Sequence, residues 1–206
     1  MTEPSAAAVA KEEEENVEVV AVCGSPRAKG NTATLLEALL EGAREKGAET
    51  TRFDPASMHI LDCTACDRCL ASPEAGCPLD DDMQHIYSAL RRAEAWVFGT
   101  PVYHAHITGT LKRVIDRLYA CYTTEGGEWR LGLEGERRGA VIVVQADPEQ
   151  ETPIRVAEYL EQILSAYNVV PVGRIAESEL VKPGDAAARP DLLARAKELG
   201  RELAAG

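Results

Sequence analysis

Short apolar runs rich in valine and isoleucine recur along the chain and alternate with longer stretches that repeat leucine and alanine at helical spacing. Such runs, bounded by glycine, proline or aspartate, are typical of strands buried within a parallel sheet. They predict five strands, over residues 17–24, 48–55, 94–101, 139–147 and 169–176. The run at 139–147 is uninterrupted, which is typical of a central position in the sheet.

The intervening stretches carry apolar residues every three or four positions, as on the buried face of an amphipathic helix. They predict five helices, over residues 31–47, 80–93, 107–122, 152–168 and 189–205. Regular alternation of strand and helix predicts an α/β fold in which helices cover both faces of a parallel sheet. Right-handed crossovers make this a doubly wound, three-layer sandwich, and ligands then bind at the carboxyl ends of the strands.

The charge of the chain narrows the choice of partners. A formal net charge of −12 over 206 residues argues against nucleic acid, because phosphate binding needs clustered lysine and arginine. Part of this acidity lies in residues 1–16, where a block of glutamates without apolar periodicity predicts a disordered tail. We expect residues 17–206 to form one domain, with a polar, glycine-rich segment at 123–138 as its longest connector.

The amino-terminal sequence is the basis for predicting the cell compartment. It has neither a basic start nor an apolar run, so the sequence predicts no signal peptide. No stretch of about eighteen apolar residues predicts a membrane span. We therefore expect a cytoplasmic protein without a membrane partner, in which thiols stay reduced and a disulfide framework is not formed.

The turn after the first predicted strand, "CGSPRAKGNTAT", has the composition of a phosphate-binding loop. A turn that opens directly into a helix points several backbone N–H groups at one place. Ser25, Thr32 and Thr34 can add hydroxyl donors and Asn31 an amide. Arg27 adds a positive charge suited to a dianionic phosphate. The sequence therefore predicts an anion site at this turn.

Other known phosphate loops do not fit this turn. Gly30 is followed by Asn31 and not by Lys-Ser or Lys-Thr, so it is not a Walker A loop, and the GxGxxG fingerprint is absent. A low-molecular-weight phosphatase would need an arginine six residues after its cysteine, where this chain has Lys29. We therefore expect Cys23 to be a small buried residue at a strand end and not a nucleophile.

Four of the six cysteines lie within fifteen residues, in "CTACDRC" and at Cys77. The spacing C-x2-C-x2-C lets one short loop present three thiolates, and a fourth can return after a turn, which fits an iron–sulfur cluster. Two alternatives remain open. Zinc sites use the same ligands but usually present two separated CxxC pairs, and the thiols could also be unmetallated and redox-active. The isolated Cys121 is expected to be structural.

Three motifs carry a resemblance to a known family. They are "GSPRAKGNT" after the first strand, "CTACDRC…C", and "GTPVYHAHITGTLKRVIDR" after the third strand. In this order they resemble the NADPH-dependent FMN reductase family of flavodoxin-like proteins, and within it the iron–sulfur flavoproteins. The resemblance covers about residues 17–175. It implies a flavodoxin-like, doubly wound five-stranded sheet that binds FMN.

The resemblance also implies which residues contact the FMN. At matching positions these are Ser25, Arg27, Asn31, Thr32, Ala33, Thr100, Pro101, Val102, Tyr103 and Gln145. The first five would hold the phosphate, Ala33 through its backbone N–H, and the segment 100–103 would lie along the isoalloxazine ring. The chain departs from the family in the loop "QADPEQET" and at His104, where a large aromatic residue is common. We expect His104 and His106 to be solvated loop residues.

For the cysteines, the resemblance implies a [4Fe–4S] cluster in a loop covering residues 62–80. Its ligands would be Cys63, Cys66, Cys69 and Cys77. Members of this family form dimers or tetramers in which the cluster of one subunit approaches the flavin of its neighbour, so a homodimer or homotetramer is expected. The cysteine loop and the connector at 123–138 are the natural contact elements.

Three functions follow as hypotheses. The first is a redox flavoprotein whose FMN and cluster pass electrons between NAD(P)H or a ferredoxin-like donor and an acceptor. The alternative is an NAD(P)H-dependent FMN or quinone reductase whose cysteines bind zinc or are free. A third is a zinc-stabilised interaction module that binds another phosphate. In the first two, the flavin carries the chemistry, and no side chain is assigned as a catalytic acid, base or nucleophile.

Overall fold

The computed structural model describes residues 16–71, 76–125 and 127–205. Within these ranges the strands are β1 (Glu18–Cys23), β2 (Glu49–Phe53), β3 (Ala95–Pro101), β4 (Tyr122–Glu125), β5 (Glu128–Leu131), β6 (Arg137–Val144) and β7 (Val169–Glu177). The helices are α1 (Asn31–Arg44), α2 (Arg68–Ala71), α3 (Met83–Arg92), α4 (Gly109–Arg117), α5 (Glu151–Ala166) and α6 (Pro190–Ala204). Short 3₁₀ turns cover Pro55–Ser57 and Leu118–Cys121.

Five strands form one parallel sheet in the order β2-β1-β3-β6-β7. The chain runs from β1 outward to β2 and then crosses back to β3 on the other side of β1. Cys23 at the end of β1 lies opposite Gly99 in β3, so the two strands end at the same edge. Ligands of doubly wound sheets bind at this reversal of strand order. The predicted five-stranded flavodoxin-like fold is confirmed.

Helices cover both faces of the sheet, as the alternating pattern predicts. Helices α3, α4 and α5 pack on one face, and α1 and α6 pack on the other. Helices α1 and α6 approach so closely that a Cβ added at Gly200 would lie 1.8 Å from the carbonyl oxygen of Leu39. One added at Gly42 would lie 1.9 Å from the carbonyl oxygen of Lys197. This contact requires glycine on both helices.

The main departure from the predicted elements lies in the connector at 123–138. Part of it forms an antiparallel hairpin, in which β4 and β5 pair from Tyr122 opposite Leu131 to Glu125 opposite Glu128. The hairpin packs beside the cysteine segment, where the hydroxyl of Thr124 donates to the carbonyl of Leu70 over 3.5 Å. The hairpin therefore lies beside the cysteine segment at α2.

Two further predictions concern the acidic tail and membrane-spanning helices. Residues 1–15, which make up nearly all of the predicted acidic tail, lie outside the described residues. In the part that is described, no helix combines the length and the apolar character needed to cross a bilayer.

Candidate functional site

A cavity of about 210 Å³ opens at the edge of the sheet where β1 and β3 end. It is formed by the turn after β1, the loop after β3, the end of β6 and the loop after β7. Its lining residues are Ser25, Arg27, Gly30, Asn31, Thr32, Pro101, Val102, Tyr103, Val144, Gln145, Ala146, Leu180, Val181 and Pro183. Polar groups gather at the β1 turn, and the rest of the lining is largely apolar. We call this space the edge cavity.

The β1 turn presents an uncapped helix amino terminus to the edge cavity. Gly30 stands at the N-cap of α1 in extended geometry, and no side chain caps this helix end. The N–H of Arg27 donates to the hydroxyl oxygen of Ser25 over 3.2 Å, and Gly30 N–H donates to the carbonyl of Arg27 over 2.9 Å. These bonds fold the turn so that the first N–H groups of α1 and the exposed Arg27 face the same space. That combination suits an anion.

The structure brings eight of the ten predicted flavin-binding residues to the lining of this cavity. The other two, Ala33 and Thr100, are buried and do not line it. The Thr100 hydroxyl donates to the carbonyl of Pro101 over 2.9 Å and accepts from the N–H of Thr108 over 3.2 Å. The side chain of Thr100 therefore holds the loop after β3 in place from behind.

Two predicted contact residues use their side-chain amides elsewhere. Asn31 donates to the carbonyls of Leu180 and Lys182 over 3.2 and 2.9 Å, and its amide oxygen accepts from the N–H of Ala186 over 3.1 Å. Gln145 donates to the backbone of the next loop and to the hydroxyl of Ser178 over 3.3 Å. Both amides fasten loops to one another, so neither is free to serve as a phosphate donor.

The loop after β3 turns back on itself over two residues. Tyr103 and His106 exchange backbone hydrogen bonds of 2.9 and 3.0 Å, and the residues between them, His104 and Ala105, have φ values of +48° and +58°. Left-handed geometry is costly for residues with a side chain and tends to cluster at functional sites. The turn holds Tyr103, which is 45% exposed, at the mouth of the edge cavity. The ring of His106 instead contacts that of Tyr159, with centroids 4.8 Å apart.

The sequence reading missed the loop after β7 as part of this site. Leu180, Val181 and Pro183 line the edge cavity, and no motif of the sequence points to them. A signal was available, because every loop at the carboxyl edge of a parallel sheet can reach the ligand position.

The cysteine segment forms a second candidate site. Cys63 and Cys66 are exposed, Cys77 is half-buried and Cys69 is buried. All four line one small cavity, together with residues such as Leu79 and Tyr119. Within residues 16–71, 76–125 and 127–205, no three His, Cys, Asp or Glu side chains lie close enough to hold a single metal ion. The four thiols therefore share a space without converging on one point.

The backbone between the cysteines is tightly turned. Ala65 and Asp67 have φ values of +51° and +53°, so left-handed residues lie on both sides of Cys66. Several effects lower the pKa of the Cys66 thiol. The three largest, in order of size, are a hydrogen bond from the N–H of Arg68, a hydrogen bond with the Thr64 hydroxyl, and the charge of Arg68. Burial, followed by the neighbouring Cys77 and Cys66 thiols, raises the pKa of Cys69. The turn therefore favours a thiolate at Cys66, the form that ligates metals.

The two cysteines outside this segment differ from those within it. Cys23 is fully buried and Cys121 is 3% exposed. Burial raises the pKa of each thiol to about 11. Both thiols are therefore protonated and unreactive near neutral pH, as expected for structural cysteines.

A buried ion pair fastens both ends of the cysteine segment. Arg117, at the end of α4, contacts Asp81 through two hydrogen bonds of 2.7 and 3.2 Å, and both side chains are at most 1% exposed. The Arg117 guanidinium also donates to the carbonyl of Leu61 over 2.9 Å, and the N–H of Leu61 donates to Asp81 over 2.8 Å. Leu61 precedes the segment and Asp81 follows it. We call this set of contacts the Arg117 clasp.

Comparison with known proteins places the chain among flavoproteins. The family model described as NADPH-dependent FMN reductase matches residues 17–179. An iron–sulfur flavoprotein of Archaeoglobus fulgidus is 30% identical over 188 residues, which cover 91% of this chain and 79% of that protein. One from Methanocaldococcus jannaschii is 38% identical over 104 residues, about half of each chain.

Solved structures share the fold at lower identity. An NAD(P)H:quinone oxidoreductase from Methanothermobacter marburgensis has a TM-score of 0.69 and 23% identity, covering 91% of this chain and 99% of its own. An FMN-dependent NADH-azoreductase from Bacillus anthracis has a TM-score of 0.65 and 13% identity, covering 92% of this chain and all of its own.

The Arg117 clasp predicts a large cost for removing one partner. We expect Arg117→Met to lower the free energy of unfolding by about 3–5 kcal/mol, because it leaves the Asp81 carboxylate buried without its cation. The matched control is Arg113→Met, one turn earlier, where an exposed pair with Asp62 is worth about 0–1 kcal/mol. Denaturant unfolding measures both. Arg117→Met should also expose Cys69 to a thiol reagent, and equal effects of the two substitutions would contradict the clasp.

The same ion pair predicts sensitivity to acid. Burial alone would raise the pKa of Asp81, but hydrogen bonds from Arg117 and from backbone N–H groups outweigh it and hold the pKa below its ordinary value of 3.8. The stabilisation is therefore present above 3.8 and is lost as pH falls through the lower folded pKa. We expect the stability difference between wild type and Asp81→Asn to shrink below pH 3.8, measured by denaturant unfolding. A difference that stays constant across this range would argue against the assignment.

Proposed function

Because the chain belongs to the NADPH-dependent FMN reductase family and to the iron–sulfur flavoproteins related to it, we propose that it couples a bound FMN to a [4Fe–4S] cluster. Family membership makes the protein a flavin-dependent oxidoreductase. The observation that carries the proposal is that one chain holds two separate candidate sites, the edge cavity and the cavity shared by four cysteines.

The edge cavity suits FMN in both chemistry and shape. Its uncapped helix end and Arg27 lie at one side and would hold the phosphate. Pro101, Val102 and Tyr103 lie at another side and offer apolar surface to a planar ring. In this arrangement Thr100, behind the cavity wall, and Asn31, within it, fix the loops that contact the flavin.

The cysteine segment has the donor set of an iron–sulfur cluster. Its ligands would be Cys63, Cys66, Cys69 and Cys77, whose thiols line one cavity. The N–H of Arg68 lies near the Cys66 sulfur, and such hydrogen bonds tune the reduction potential of a cluster. Tyr119 contacts the same cavity and donates to the Asp67 carboxylate over 3.3 Å, which holds the turn between Cys66 and Cys69.

The two groups would make the protein a converter between electron donors of different kinds. When bound, FMN exchanges electrons in pairs or singly and the cluster exchanges them singly. NAD(P)H or a ferredoxin-like protein would be the donor. The chain's own contribution is to bind both groups and to keep Cys63 and Cys66 at the surface, within reach of another protein or another copy of the chain. The exposed Trp129 of the hairpin, 55% accessible, supports a homodimer or homotetramer with contacts there.

A second candidate function has its own support. The four thiols form no ready-made single-ion site in the described residues, so a flavin-dependent FMN or quinone reductase whose cysteines are free, or bind zinc on rearrangement, is the alternative to a cluster. The edge cavity would then be the whole of the redox site. Both candidates use the edge cavity in the same way. They differ in the metal content of the cysteine segment.

Substitution of Arg27 tests the flavin site. We expect Arg27→Ala to weaken FMN binding by about tenfold or more, because a charge-assisted phosphate contact is worth about 1.5–3 kcal/mol. Riboflavin, which lacks the phosphate, should bind wild type and variant alike. Lys46→Ala, beyond the far end of α1, is the matched control. Fluorescence titration measures the affinity of each of the three proteins for both flavins, and an unchanged FMN affinity in Arg27→Ala would place the phosphate elsewhere.

Metal analysis of protein purified without oxygen tests the cluster. We expect iron and acid-labile sulfide in equal amounts and broad visible absorbance from the wild type. Cys66→Ser should lose both, whereas Cys121→Ala should keep both because its buried thiol lies outside the four. Zinc without sulfide, or no metal at all, would reject the cluster and support the second candidate.

A further inference from the structure

The loop of residues 178–186, between β7 and α6, lies almost wholly beyond the stretch that the family model matches, which ends at residue 179. It nevertheless lines the edge cavity. We propose that this loop is a flavin-binding wall that contacts the ring or ribityl part of the flavin, and that Asn31 and Gln145 are positioning residues that hold it. This inference rests on the proposed FMN site, and we call the loop the C-terminal wall.

Asn31 attaches the C-terminal wall to the phosphate turn. Its side chain is 8% exposed and reaches about 150 residues along the sequence to bond three backbone groups. Both of its N–H bonds go to carbonyls, those of Leu180 and Lys182, and its oxygen accepts from the N–H of Ala186. Both N–H donors and the oxygen are matched in type, which favours one orientation of the wall.

A second set of bonds attaches the C-terminal wall to the end of β6. The N–H of Leu180 donates to the carbonyl of Gln145 over 2.9 Å. The buried hydroxyl of Ser178 accepts from the Gln145 amide and donates to the carbonyl of Glu149 over 2.7 Å. Between them, Glu179 takes a left-handed φ of +62°. The strained residue and the paired polar groups indicate a loop whose shape is fixed before any ligand binds.

The surface that this wall offers is apolar. Leu180 is buried, but Val181 is 59% exposed, a larger fraction than any other large apolar side chain in the described ranges. Val181 and Tyr103 both line the edge cavity and both are exposed at its mouth. A ligand between them would remove apolar area from water on both sides, which favours binding. The side chains of Val181 and Pro183 offer apolar contact only, which suits the uncharged part of the ligand.

The test compares FMN with riboflavin in the full-length protein. We expect Val181→Ser to weaken both flavins by the same factor, about three- to tenfold, because both would lose the same apolar contact. Val181→Asp should weaken both further, since a buried carboxylate would have no partner. The control Val170→Ser changes an exposed valine at the far end of β7 and should leave both affinities unchanged.

Asn31→Ala tests the positioning role. Alanine removes the three bonds to the wall without placing a charge beside the phosphate turn, so the wall should loosen. We expect both flavins to bind more weakly by the same factor, together with faster hydrogen exchange in residues 178–186. If Asn31 is instead a phosphate ligand, only FMN should be affected.

The outcomes separate this inference from the proposed function. Wild-type protein that binds neither flavin would overturn the proposed FMN site and this wall with it. Wild-type binding that is unchanged by Val181→Asp, in protein whose unfolding curve matches the wild type, would overturn the wall alone. Loss of FMN affinity alone in Asn31→Ala would return Asn31 to the phosphate contacts.

Discussion

The buried contact between Arg117 and Asp81 is the constraint on which the cysteine half of the molecule depends. The described part of the segment between Leu61 and Asp81 has one four-residue helix, and Cys69, Leu70 and Cys77 pack on the main core. Ordering a backbone costs about 1–2 kcal/mol per residue, and the burial of these three side chains offsets only part of that cost. The clasp joins the two ends of the segment to α4 and to each other. The segment is therefore held as a closed loop on the side of the sandwich.

The Arg117 clasp fixes the position of the cysteine segment more than it adds to the stability of the fold. Taking two charges out of water offsets most of their attraction, so a buried pair adds little net stability over apolar residues of equal volume. Arg117 also keeps one buried N–H, at Nε, without a hydrogen-bond partner among the described residues. Left-handed backbone at Ala65 and Asp67 adds local strain. The unpaired N–H and the strained backbone both lie close to the cysteines. A group that bound only the ordered segment would stabilise the whole chain through linkage.

The sequence predicted the sandwich and the position of the edge cavity because both follow from periodicity and topology. The sequence did not predict the contacts that join residues far apart along the chain. Arg117 lies in a helix whose apolar face is evident, but an arginine in a helix is normally exposed, and its partner is 36 residues away. The sequence predicts that the side chains of Asn31 and Gln145 contact the ligand. The fold shows instead that their amides form hydrogen bonds to other loops. The β4–β5 hairpin had a local signal, the Gly126–Gly127 pair between two strand-like runs.

Helix α4 contacts elements of both candidate sites. At its amino end, the Thr108 hydroxyl donates to the carbonyl of Gly24 over 2.7 Å and accepts from the N–H of Leu111, which ties the helix to the edge cavity. At its carboxyl end, Arg117 holds the cysteine segment. The edge cavity and the cavity of the four cysteines have no lining residue in common. Were both proposed groups bound, electrons would pass between them through this chain or through a second copy whose edge cavity approaches the exposed cysteines.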